Sequence, residues 1–173
     1  TALPHLIGLQ VEQSRDYIQI DAATRRNLEI DQTLQGEAQP TLYSLLNTTR
    51  TAMGARLLRY WLHHPLRDAN VIQARQAAVS ALMAADYSAL RALLAEVGDI
   101  ERISARVALK TARPRDLSGL RDSLLQLDAL RAGLRADSPL LRELADGLQP
   151  PAAAVALLKA AIRQEPSTVL REG

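Results

Sequence analysis

The stretch PRDLSGLRDSLLQLDALRAGL, Pro114 to Leu134, decides the fold. Leu117, Leu120, Leu124, Leu127, Leu130 and Leu134 recur there at intervals of three and four. That spacing draws one apolar seam along an α-helix, and such a seam needs a partner helix. Pro114 suits the first turn, where its missing amide costs no hydrogen bond. The run is under three heptads long, so packing within the chain is expected rather than a coiled coil.

Working upstream, Asp99 to Lys110 reads as a helix with Ile100, Ile103 and Val107 inward. A shorter helix runs from about Tyr87 to Val97 and stops at Gly98. Asp68 or Asn70 opens a longer one whose apolar face is Val71, Ile72, Ala78, Val79, Leu82 and Met83. Thr51 caps a helix with Met53, Leu57, Leu58, Trp61 and Leu62 on one stripe, ended by His64-Pro65. Thr41 caps a short helix with Leu42, Leu45 and Leu46. Asp21 caps another over Ala22 to Asp31, with Leu28 inward. Asp16 to Ile20 alternates weakly and suits a short strand.

Downstream, Ser138-Pro139 and Pro150-Pro151 each start a helix, the second ending near Gln164. Ser167 to Leu170 is expected to be extended, and Ile18 and Val169 could share a small sheet. The expectation is a mainly α protein: a multi-helix orthogonal or bundle array with a short β element near the termini.

Composition agrees. The 173 residues are about one domain's worth, and Leu (31) and Ala (29) exceed a third of them. Phe is absent, and strand-favouring residues are few. The net charge of +2 argues against a dominant polycation. Without Cys there is no disulfide or thiolate metal site, which is compatible with a reducing cytosol. No stretch approaches 18 uncharged apolar residues, so no membrane partner is expected, and the expected location is cytoplasmic. Thr-Ala-Leu-Pro at the start and Arg-Glu-Gly at the end suggest a piece of something larger.

Chemistry-bearing motifs are scarce. The sequence has no GxxxxGK[ST], GxGxxG, GxSxG or HExxH. His63-His64 at a helix end suit the negative pole of a helix dipole better than a metal. No catalytic, cofactor-binding or metal-ligating residue is assigned, and no enzyme activity is expected of this stretch. Arg102, Arg106 and Lys110 stand at i, i+4 and i+8, with Arg113 and Arg115 following. Such a stripe could meet phosphates, but Asp99 and Glu101 lie close and no aromatic residues interleave. These five residues are the candidate nucleic-acid or interdomain contact, with a solvated or interdomain face as the favoured sense. Arg25 and Arg26 point about 100° apart on a helix. One of them can reach Glu29, and a structural or interdomain ion pair is expected rather than a phosphate contact.

Taken in order, IDAATRRNLEI, TLYSLLNTTRTAMGARLLRYWLHHPLRD and GDIERISARVALKTARPRDLSGLRDSL resemble the core domain, domain III, of the DNA mismatch-repair MutS family. The likeness runs from ALPHL to VLREG. TAMG stands where the family often has TPMG, and the Gly36 to Pro40 loop departs from the pattern. Ala78 to Val97 and Ala132 to Ala160 match mainly as helical pattern.

The resemblance implies a helical core linking mismatch recognition to an ATPase. Its relatives recognise mispaired or looped-out bases as dimers and couple this to ATP hydrolysis. A Phe-x-Glu wedge and a Walker A loop do that work in other domains; this sequence has neither. Implied for the parent protein are ATP and magnesium, mismatched duplex DNA, a homodimer, a downstream mismatch-repair protein, and other domains of the same chain. The mismatch-binding, connector, clamp and ATPase domains would lie outside residues 1–173. The alternative is an autonomous helical module for nucleic acid, built on the basic residues above, or for protein partners.

Overall fold

A computed structural model describes residues 14–134 and 138–164 of the chain. After a short 3-10 turn at Ser14–Asp16, the described residues form α1 (Ala22–Asn27), α2 (Leu42–Leu46), α3 (Ala52–His63) and α4 (Ala69–Met83). Then come α5 (Ser88–Ala95), α6 (Ile100–Ala108), α7 (Pro114–Gly133), α8 (Pro139–Gly147) and α9 (Ala152–Ala161). The mainly α expectation holds. The strand expected at Asp16 to Ile20 is absent: Tyr17 makes a single antiparallel bridge to Leu66. Val169 and the extended segment expected around it lie outside the described residues.

Contacts divide the chain into two compact units. The first takes in the described residues up to Thr49 together with Gly54–Gln73. Its helix starts follow from short polar side chains. Asp21 accepts the Thr24 amide at 2.9 Å, and Thr41 and Ser44 cap each other's amides in a capping box. Two expectations fail here. The helix after Asp21 ends at Asn27 rather than Asp31, because Glu29 takes a left-handed φ of 45° that no helix continues through. Leu28 is therefore exposed, and Ile30 is the buried residue.

Past that break, the Leu42 and Tyr43 amides donate to the Glu29 and Ile30 carbonyls at 3.1 and 2.8 Å. This ties α2 to the chain leaving α1. Tyr17 and Tyr60 join hydroxyls at 3.1 Å, and His64 stacks on the Tyr60 ring.

The second unit takes in Arg50–Met53 and the described residues from Ala74 onward. Helix α7 is its centre and touches α5, α6, α8 and α9. Leu124 and Leu130 from the expected seam are buried, joined by Ile103 of α6 and Leu141 of α8. Ser123, 1% exposed, ties α7 to the α5–α6 turn. Its hydroxyl accepts the Gly98 amide at 2.9 Å and donates to the Gly119 carbonyl at 2.6 Å. A Cβ at Gly98 would meet that hydroxyl at 3.2 Å, so the close approach favours glycine.

Several apolar residues expected inward are exposed. Val107 of α6 is exposed, one residue before the helix ends, and Ile103 is the buried residue of that helix. On α4, Ala78 alone is buried, while Val71, Val79 and Met83 are exposed. Helix α9 stops at Ala161, short of the expected Gln164, because Ile162 turns extended.

Candidate functional site

The five candidate basic residues lie around the α6–α7 turn. Asp99 caps α6 by accepting the Arg102 amide at 3.3 Å, and its carboxylate also holds the Arg102 side chain at 3.4 Å. Arg106 reaches across the turn to Asp116 of α7 at 2.6 Å. The other oxygen of Asp116 accepts the Arg113 amide at 2.9 Å. That amide bond, with the charge and hydrogen bond of Arg106 and the charge of Arg113, outweighs desolvation and holds the Asp116 carboxyl below its usual pKa.

Asp116 therefore serves as both cap and clamp. It closes the first turn of α7 and pins α6 to it through Arg106.

Lys110 does not continue the stripe. It lies beyond Ala108 with a left-handed φ of 57°, its amide bonded back to the Val107 carbonyl. The expected i, i+4, i+8 face thus shortens to Arg102 and Arg106 on α6. Lys110, Arg113 and Arg115 sit exposed on the turn and the first turn of α7. Arg106 is committed to a structural pair, while most of the Arg102 side chain faces water.

A second polar cluster lies in the first unit. Asp31 accepts from Arg59 Nε at 3.0 Å and lies 3.0 Å from His63 Nε2. Desolvation pushes the Asp31 carboxyl up, but the bonds and charges of His63 and Arg59 together outweigh it and leave the pKa lowered. His64, the other histidine of the pair, directs Nδ1 to the Tyr60 carbonyl at 3.0 Å near the end of α3. His63 thus answers a carboxylate, and only His64 answers the helix end.

The Arg25–Arg26 question has a local answer too. Glu29 turns away from both and accepts the Leu34 amide at 2.7 Å. Arg25 approaches the Ile20 carbonyl at 3.4 Å. Both arginines line an open cleft of about 490 Å³ with Asp31 and Thr33. The ion pair to Glu29 does not form, because the left-handed turn at Glu29 takes its carboxylate off the helix surface.

Another open cleft, of about 730 Å³, is lined by Arg50, Asp86, Tyr87, Arg91 and Glu96. In the second cleft Ser88 sits beside Asp86, whose carboxylate accepts the Ser88 amide at 2.9 Å at the start of α5. Among the described residues no group of three His, Asp or Glu could hold a metal ion. Asp21, Thr41 and Asp99 cap helices, and Asp116 and Asp31 tie separate parts of the chain together. The family model for MutS domain III matches residues 23–173. The chain belongs to that family. As a MutS domain III it belongs to the mismatch-repair proteins, and no single helix among its described residues is long and apolar enough to cross a membrane.

Two residues central to this MutS domain III are not announced by the sequence pattern. Arg121 is 7% exposed and Ser123 1% exposed, both on the helix that carries the leucine seam. A signal for Arg121 is present. It stands four residues after Leu117 and three before Leu124, inside the apolar register rather than opposite it.

Proposed function

We propose that this chain is the helical core of a mismatch-repair ATPase, a scaffold linking DNA recognition to nucleotide hydrolysis performed by other parts of the parent protein. The supporting observation is α7, a 20-residue helix that contacts α5, α6, α8 and α9 at once. A helix gripped on several sides moves as a body and passes a shift from one neighbour to the others. In this reading residues 1–173 form the core, and ATP and magnesium bind outside it. The parent is cytoplasmic, acts as a homodimer on mismatched duplex DNA, and hands on to a downstream repair protein.

The second reading, direct contact with nucleic acid, draws on the exposed Arg102, Lys110, Arg113 and Arg115. Salt titration of duplex binding by the full-length protein separates the two. Under the scaffold reading, Arg102→Glu with Arg115→Glu leaves both the salt slope and the mismatch-stimulated ATPase unchanged. Under the second, the slope falls by about 0.9 for each phosphate that the variant no longer neutralises. A full-length protein whose ATPase ignores mismatched DNA would contradict the scaffold reading.

A further inference from the structure

Arg121 buries a guanidinium in the second unit, yet its carboxylate partner faces water. Its Nε donates to Asp122 at 2.8 Å, but the Asp122 side chain is 56% exposed against 9% for Arg121. The other side of the fork points at backbone. Nη1 donates to the Ile162 and Arg163 carbonyls, both at 2.9 Å, and Nη2 approaches the Gln164 carbonyl at 3.5 Å. Those three consecutive carbonyls belong to the chain just after α9, where Ile162 has turned extended with φ −112° and ψ 121°.

The energetics are unusual for a packing residue. Burying a charge is costly unless hydrogen bonds repay it, and an apolar side chain of similar volume often stabilises as well. What only a guanidinium adds is a rigid planar fork of donors. Here the fork selects one path for residues 162–164. We infer that Arg121 is a positioning residue, a latch that fixes the direction in which the chain leaves α9 and couples it to movement of α7. The latch itself follows from the geometry; its part in coupling rests on the scaffold reading.

Trypsin tests the latch directly, because it cuts after Arg163. The protease must polarise the Arg163 carbonyl, which Arg121 occupies at 2.9 Å. In the full-length protein, Arg121→Met is expected to speed cleavage at Arg163–Gln164 at least about tenfold, the ratio for one charge-assisted hydrogen bond. Cleavage within α8, after Arg142, is expected to stay at the wild-type rate. Arg121→Lys keeps the charge without the fork and is expected to fall between the two. The mismatch-stimulated ATPase is expected to drop several-fold in Arg121→Met and recover partly in Arg121→Lys, with basal hydrolysis unchanged.

An unchanged Arg163 cleavage rate in both variants overturns the latch. Faster cleavage with full stimulation overturns its role in coupling. If Arg121→Met loses its helical circular dichroism, Arg121→Lys decides alone, by the same cleavage rate. A wild-type protein without mismatch stimulation refutes the scaffold reading and the coupling role together. The cleavage rates then still decide whether the latch exists.

Discussion

Leu124→Asp is expected to abolish the folded α5–α9 unit. Leu124 is 8% exposed on the helix that all its neighbours share. Truncation to Ala would cost about 2–5 kcal/mol through reduced burial and a residual cavity. Aspartate forfeits the same apolar packing and adds an unpaired carboxylate, a combination in the range above about 4 kcal/mol. Domains of this size hold about 5–15 kcal/mol in all, so most or all of the margin goes. Circular dichroism at 222 nm and a thermal melt read the outcome. A cooperative transition within a few degrees of wild type would mean that α7 is not the buried centre described above.

Ser123→Leu is expected to be the next most damaging change. The hydroxyl sits between the Gly98 amide and the Gly119 carbonyl, and Gly98 has no side chain to move aside. Leucine adds volume in a site packed to contact, which costs about 1–3 kcal/mol. It also leaves the Gly98 amide without its acceptor, at about 1–3 kcal/mol more. A loss near 3 kcal/mol lowers the melting temperature by about 6–12 °C in a chain of this size. Ser123→Ala removes the bond without the crowding and is expected to lose about half as much. Equal losses in the two variants would show that packing around Ser123 is loose.

Both predictions concern α7, the element most legible in the sequence. Pro114 marks its start, and the leucine spacing marks its buried side. Asp21 and Thr41 are readable as caps because a short polar side chain ahead of an apolar run can satisfy free amides in only a few ways, whereas Asp99, read as helical, proves to be the cap of α6. Less legible is which apolar residues are covered. Leu28, Val107 and Val79 fit helical periodicity, yet α1 ends early and Ile103 is the one apolar residue of α6 that is buried. Periodicity predicts a face, while burial depends on where the next helix lies.

The polar sites are harder still. The Asp31–His63 contact joins residues distant in sequence, and nothing in local spacing announces it. The basic stripe fails at Lys110 because one left-handed residue ends the helix that the spacing presumes. Asp116 looks in the sequence like an ordinary acidic residue near a helix start. It proves to tie that start to Arg106 of the preceding helix. Arg121 hides for the opposite reason: arginine ordinarily faces water, and its burial rests on the Asp122 carboxylate and the carbonyls of residues 162–164, the latter distant in sequence.

The claim beneath all of this is that α7 binds α5, α6, α8 and α9 into one rigid body. Native-state hydrogen exchange of the full-length protein tests it most directly, because amides buried at the centre of such a body exchange only when the whole unit opens. The account predicts that amides from Leu120 to Leu130 are the slowest in the chain, with α6 and α8 opening in the same cooperative step. Exchange in α7 as fast as in the short α1, or α6 and α8 opening independently of it, would contradict it.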